Sequence, residues 1–238
     1  MPWTPPLVGS SALVPDGPWE YAMDVIAVHA IGNAKEIKDA IDMQTDGELW
    51  FYFADIISHS PKCSELNYEA PDLVQYKEAA IFVKVKHMGK DYAYCPFMYV
   101  SNDVSLVRGF VVGFPKKIAT IAITRDHPLM KQNKFGATAM RAGYSLLKAI
   151  IEPKESVNSL PFDEFGPWLL RRYIAPANID EYVVFKLDAK YGEILKGDAT
   201  LEVGGGVNDE LQAFKPEKIL AGYKYSVLIK AKGVEILK

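Results

Sequence analysis

Four aromatic residues in a row, Trp50-Phe51-Tyr52-Phe53, lie inside an apolar run over residues 49–57. Side chains alternate from one face of a strand to the other, so a strand built on this run has to be covered on both faces. It reads as core and interface, not as a surface platform for stacking bases. Similar runs recur along the chain. Residues 21–29, 79–86, 92–100, 118–124, 182–187, 199–203 and 223–230 all read as strands. The segment His87-Met88-Gly89-Lys90-Asp91 joins two of them as a hairpin with a five-residue connection. Residues 35–41 read as a short helix with Ile37 and Ile41 on one side. Residues 217–220 read as a turn or a short helical piece, and 104–112 as a short helix or an extended segment. Over 135–151, Met140, Tyr144, Leu147 and Ile151 fall at helical spacing, while Gly136 and Gly143 oppose a helix. Many strands and few helices favour an α+β domain on a curved or closed sheet over alternating βαβ units.

The 238 residues suffice for one sizeable domain or two small ones sharing a core. Residues 1–20, rich in Pro and Gly, read as an extended arm preceding a domain over 21–238. A formal charge of -3 carries no basic excess of the kind a nucleic-acid surface needs. No run reaches 18 uncharged apolar residues, so no membrane span is expected. The N-terminus lacks a basic region followed by an apolar one, and the expected address is cytoplasmic. Cys63 and Cys95 read as free thiols. Of the four histidines only His59 stands near a cysteine, Cys63, and one such pair is not a metal site. Gly204-Gly205-Gly206 lacks a phosphate-loop pattern and reads as a hairpin loop. No cofactor is expected.

The segment with chemical content is Gly113-Phe114-Pro115-Lys116-Lys117. A lysine amine attacks a carbonyl only when neutral, and at pH 7 only about 0.04% of an ordinary lysine is neutral. Bringing the amine to about pH 7.5 requires roughly 4 kcal/mol of preference for the neutral form. Burial and a second cation can both supply it. In a regular strand adjacent lysines point to opposite faces. Gly113 and Pro115 leave room for an irregular local path, on which the two amines can converge. A Lys-Lys pair alone is ordinarily a solvated surface feature.

The wider setting resembles the acetoacetate decarboxylase superfamily. The resemblance rests on Asp91-Tyr92-Ala93-Tyr94-Cys95-Pro96-Phe97-Met98-Tyr99-Val100-Ser101-Asn102-Asp103 followed by residues 113–117, with Tyr76-Lys77-Glu78-Ala79 upstream and Arg172, Ile174 and Pro176 downstream. It implies a single α+β domain on a curved, mostly antiparallel sheet closing into a cone-like β-barrel, assembled as a homo-oligomer. It also implies strand over 135–151. Lys116 becomes the nucleophile that forms a Schiff base, Lys117 the modulator of its proton affinity, and Glu78 the acid beside the imine. Activation of a lysine by desolvation or a neighbouring cation is the accepted account of acetoacetate decarboxylase itself and comes with the resemblance. Arg108, Phe114 and Met98 are placed at the substrate, a small keto acid. The implied reaction is decarboxylation of a β-keto acid such as acetoacetate. An aldolase, dehydratase or cyclase on pyruvate-like keto acids, or a non-catalytic binding module, are the alternatives.

Two departures bear on the reaction. The family's Gly-Arg-Glu ahead of the lysines is here Arg108-Gly109-Phe110, without the acid and with the arginine moved by one position. The family also carries an arginine early in the chain, near a segment that here reads Trp19-Glu20-Tyr21, yet the first 100 residues hold none. Asp55 and Glu69 are the candidates for its second acid.

Overall fold

The computed structural model describes residues 12–237. The N-terminal arm expected over 1–20 therefore lies largely outside the described residues. From residue 20 onward the chain forms one large sheet with three short α-helices. The strands are β1 (Glu20–Gly32), β2 (Glu48–His59), β3 (Gln75–His87), β4 (Lys90–Val100), β5 (Lys116–Ile118), β6 (Thr120–Ile123), β7 (Phe135–Arg141), β8 (Tyr144–Val157), β9 (Trp168–Ile174), β10 (Ile179–Val203) and β11 (Pro216–Ile236). The helices are α1 (Ala34–Ile41), α2 (Leu66–Glu69) and α3 (Asp103–Val112).

The strand order is β11-β1-β2-β3-β4-β9-β10-β8-β7-β6, with β5 joined to β4 and β10 also paired with β11. Pairing is antiparallel except at β4–β5 and β4–β9. The cone-like closed barrel expected from the resemblance does not form, because the strands are not disposed evenly round one axis. The reason lies in the two longest strands. β10, 25 residues long, divides its length among β8, β9 and β11, with register shifts after Lys186 and Tyr191. Bulges of this kind bend a strand and redirect its pairing. The result is a branched, bent, mixed sheet in a single α+β domain.

The aromatic run behaves as its alternation requires. Phe51 and Phe53 enter one apolar cluster with Ile26, Ile81 and Tyr99, and β6–β8 fold back to cover it with Ile121, Ala137 and Leu147. Trp50 and Tyr52 enter the cluster on the opposite face with Phe82, Met98, Phe114 and Phe162.

Several local readings change. The hairpin between β3 and β4 turns on two residues, not five: Met88 and Gly89 both have positive φ, +50° and +77°, as the tight hairpin turn that matches strand twist demands. Residues 135–151 are strand, broken by a similar turn at Ala142 (φ +50°) and Gly143 (φ +82°), so the helical spacing there is fortuitous. Residues 182–187 and 199–203 belong to the single strand β10, and 217–220 are part of β11. Residues 104–112 are helical, within α3. Asn102 caps that helix, its side-chain oxygen accepting from Ser105 N–H at 2.9 Å, and Gly113 ends it with φ +117°, the left-handed conformation that glycine tolerates best.

Candidate active site

The pleat and the register assemble the site before any side-chain contact is considered. Tyr52 pairs with Ala80, Ala80 with Met98, and Met98 with Lys116, so these four stand in one row across β2, β3, β4 and β5. The adjacent row on the same face runs Val25, Ala54, Glu78, Val100. Directly opposed residues share a face of the sheet. Lys116, Glu78, Tyr52 and Met98 therefore converge, although their sequence separations reach tens of residues.

The contacts complete that convergence. Lys116 Nζ donates to Glu78 Oε2 at 2.8 Å and to Ser105 Oγ at 2.9 Å. Tyr52 Oη donates to the other carboxylate oxygen, Glu78 Oε1. The side chains of Lys116 and Glu78 are each 7% exposed, so the ion pair is dry. Burial and the Glu78 charge push the Tyr52 phenol well above its usual range, and Tyr76 up to about 12. Both remain protonated donors at neutral pH. Phe114 and Tyr76 place their rings 5.7 Å and 5.6 Å from Lys116 Nζ. Cys95, buried on the same side, is likewise raised by burial and by Glu78 and stays a thiol.

Helix α3 closes the site from above with Val104, Ser105, Arg108 and Gly109 buried. Gly109 is where the helix crosses the lysine: a Cβ there would stand 2.4 Å from Cδ and Cε of Lys116. Glycine costs a helix roughly 1 kcal/mol against alanine, and here it gives the Lys116 stem its passage. Arg108 is 3% exposed and stacks on Trp19, 4.2 Å from ring centroid to guanidinium carbon, with Tyr21 at 5.1 Å and Tyr76 at 5.9 Å. Its two terminal nitrogens make no hydrogen bond among the described residues. A buried cation without a carboxylate partner is costly unless something anionic comes to it. The cation beside the Trp19-Glu20-Tyr21 segment is thus Arg108, from α3.

Lys117 is not brought into this group. It pairs with Tyr99 instead, on the opposite face, where its Nζ donates to Asp209 Oδ1 at 3.0 Å and to the carbonyl oxygen of Asn208. Asp55 pairs with Arg125 at the surface and Glu69 is exposed, so neither reaches Lys116. His59 hydrogen-bonds Asn67, and among the described residues no cluster of three His, Cys, Asp or Glu could hold a metal ion. Arg172, quoted for the downstream motif, pairs with Glu181 and lies beneath Gly113.

Sequence reasoning passed over Tyr52, Ser105, Gly109 and Trp19 as site residues. Two signals were present. A glycine inside a helical segment asks for a close approach, and Ser105 stands three residues after the capping Asn102. Nothing local marks Tyr52 or Trp19.

The site thus holds a buried lysine paired with a carboxylate, beside a buried arginine that has no carboxylate partner among the described residues. Comparison with known proteins identifies the family. The family model for acetoacetate decarboxylase matches residues 1–238, and the chain belongs to that family, a class of Schiff-base-forming enzymes. No sequence among curated proteins matches. Similar solved structures include the enduracididine biosynthesis enzyme MppR complexed with pyruvate, at 20% identity and TM-score 0.89, covering 100% of this chain and 98% of that one. MppR with the condensation product of pyruvate and imidazole 4-carboxaldehyde aligns at 21% identity and TM-score 0.88, covering 99% and 96%. An acetoacetate decarboxylase-like enzyme from Sphingomonas wittichii RW1 aligns at 22% identity and TM-score 0.87, covering 98% of each chain. At these identities the likeness is one of fold. No helix among the described residues is long and apolar enough to cross a membrane.

Proposed function

We propose that the protein takes a small, pyruvate-like keto acid as an imine of Lys116 and uses it for aldol-type condensation, dehydration or cyclisation. The observation that carries this reading is the arrangement of Arg108 beside the Lys116–Glu78 pair, buried and with both terminal nitrogens unpaired. Arg108 would hold the carboxylate of the keto acid. A carboxylate held by a guanidinium is stabilised as such and is a poor group to expel, whereas decarboxylation profits from apolar surroundings. Once Lys116 Nζ has attacked the keto carbon and water has left, the imine nitrogen is an electron sink. Glu78, in contact with that nitrogen, is positioned to remove a proton from the adjacent carbon. The resulting enamine attacks a second carbonyl, and hydrolysis returns the lysine. Met98 and Phe114 would pack against the bound acid, and Tyr52 would keep Glu78 oriented. The structures of MppR with pyruvate and with a pyruvate condensation product are consistent with this chemistry on the same fold.

Decarboxylation of a β-keto acid such as acetoacetate is the second reading, favoured by the family's own name and by the aromatic surroundings of Lys116. Borohydride reduction with pyruvate and with acetoacetate, followed by peptide mapping, tests for the imine. An adduct on Lys116 is expected, and none with any keto acid would sink both readings. Carbon dioxide release from acetoacetate, set against product formation from pyruvate plus an aldehyde, separates them. A homo-oligomer and a cytoplasmic address belong to the same proposal, and light scattering on the purified protein tests the first.

A further inference from the structure

Ser105, Arg108 and Gly109 are buried on α3 at the three- and four-residue spacings that share a helix face. Gly109 lets the Lys116 stem pass, and Arg108 is free to hold a carboxylate. Ser105 takes no part in the steps assigned to Glu78 and Arg108. It is 0% exposed, and its Oγ accepts from Lys116 Nζ at 2.9 Å. The helix gives no reason for a hydroxyl at this position. Asn102 caps α3 through the backbone N–H of Ser105, which an alanine would also supply, and alanine is the better helix former. A buried hydroxyl is costly unless it is hydrogen-bonded. Away from Lys116, Ser105 hydrogen-bonds the Tyr76 hydroxyl.

Proton counting at the lysine nitrogen gives that hydroxyl a task. The Lys116 ammonium carries three N–H protons, and an iminium made from it carries one. Two protons therefore leave nitrogen, and both end on the keto oxygen, which departs as water. Among the described residues Nζ hydrogen-bonds two side chains, Glu78 and Ser105. Glu78, which already accepts from Tyr52, holds one proton at a time. A serine hydroxyl can carry the other without becoming charged, because it accepts a proton from nitrogen as it releases its own to oxygen. In the carbinolamine that oxygen is two bonds from nitrogen, so a hydroxyl 2.9 Å from Nζ is within reach of both atoms.

We infer that Ser105 is a catalytic residue of imine formation, the proton relay between the Lys116 nitrogen and the keto oxygen of the substrate. The inference rests on the reading of Lys116 as the imine-forming lysine and holds for either reaction proposed for it. Glu78 first takes a proton from the ammonium. The freed amine bonds to the keto carbon, and the carbonyl electron pair moves onto oxygen. The Ser105 hydroxyl turns from Tyr76 to that oxygen and gives it a proton, while Ser105 Oγ takes one from nitrogen. The product is a neutral carbinolamine. Glu78 then returns its proton to the same oxygen, the C–O bond breaks, water leaves, and the nitrogen lone pair closes the iminium. Glu78 is again a carboxylate, beside the iminium and the adjacent C–H. Hydrolysis runs the relay backwards, and no oxidant or reductant is needed.

The test mixes the protein with pyruvate and quenches it into borohydride at timed intervals, in water, in heavy water and in mixtures of the two. In wild type the trapping rate is expected to fall along a curve as the deuterium fraction rises, because two protons move together. A straight line overturns the inference. Ser105→Ala is expected to slow trapping by about 10²-fold and to make the dependence straight. A loss under about three-fold overturns the inference, since general acid–base catalysis supplies more than that. So does a slowed variant whose dependence stays curved, because a merely structural disturbance of Lys116 would leave the relay in place. If Ser105→Ala does not fold, the wild-type dependence decides alone. An adduct that forms with a straight dependence removes the inference and leaves the imine standing. No wild-type adduct with pyruvate or acetoacetate removes the imine reading and the inference with it.

Discussion

Lys116 and Lys117 are consecutive, and the two faces of β5 make them different residues. On one face Lys116 is 7% exposed and meets Glu78, Ser105, Tyr76 and Phe114. On the other, Lys117 is 29% exposed and is held by Asp209, which is itself 2% exposed. Asp209 also accepts from Arg141 at 2.9 Å and from Tyr99 Oη at 3.1 Å. Burial acts to raise the Asp209 carboxyl, but the hydrogen bonds from Lys117 and Arg141 outweigh it and hold it below the usual carboxylate range. The Lys116 face is dry and contains an arginine whose terminal nitrogens meet no carboxylate among the described residues. On the Lys117 face both cations hydrogen-bond the same carboxylate. A saturated cluster stabilises a fold, and an unsaturated one is poised for a ligand. The contrast argues that Lys117 anchors β5 from behind and that adjacency in sequence does not make it a neighbour of the Lys116 amine.

The contrast is broken most severely at the nucleophile. Lys116→Ala should abolish borohydride trapping of pyruvate and lower turnover by at least about 10⁴-fold, and trapping that persists at another lysine would reassign the site. Gly109→Ala comes next. Its methyl would enter the path of the Lys116 stem, and a displacement of about 1 Å costs on the order of 10²-fold, read as a slower trapping rate with an unchanged circular dichroism spectrum. Asp209→Asn attacks the other face. Leaving Lys117 and Arg141 without their carboxylate should cost roughly 3 kcal/mol of stability at pH 7. Because the folded carboxyl is held low, that stabilisation is present above the unfolded value of about 3.9 and is lost as pH falls through the lower folded value. Urea denaturation should therefore separate wild type from variant at pH 7 and show the gap shrinking in acid. The smallest effect is expected from Lys117→Met, which should leave the trapping rate within about two-fold, the range for sites that do not share partners. A large drop there would restore the lysine pair as a functional unit.

Much of the strand content was legible in the sequence because β-forming runs and turn residues act locally. The hairpin of β3 and β4 and the stop at Gly113 and Pro115 follow from residues within a few positions of one another. Resemblance corrected periodicity over 135–151, where a turn at Ala142 and Gly143 overrode the helical spacing. Resemblance named Lys116, Glu78, Arg108 and Lys117 together; the fold brings the first three to one place and puts Lys117 on the opposite face. The branching of β10 among three partners was hidden, since pairing between strands far apart in sequence leaves no local mark.

By itself the sequence determined that this chain makes a sheet covered on both faces, with a lysine pair just after a break at Gly113 and Pro115. The tertiary structure alone decided which lysine is buried beside Glu78 and which is bound to an aspartate 92 residues away. It also decided that Tyr52 and Trp19 stand beside these residues and that the sheet branches instead of closing evenly round one axis. The physical reason is common to all of these. Side-chain direction alternates at every residue of a strand, so function depends on register and on which face of the sheet is covered, and both are set by contacts between distant segments.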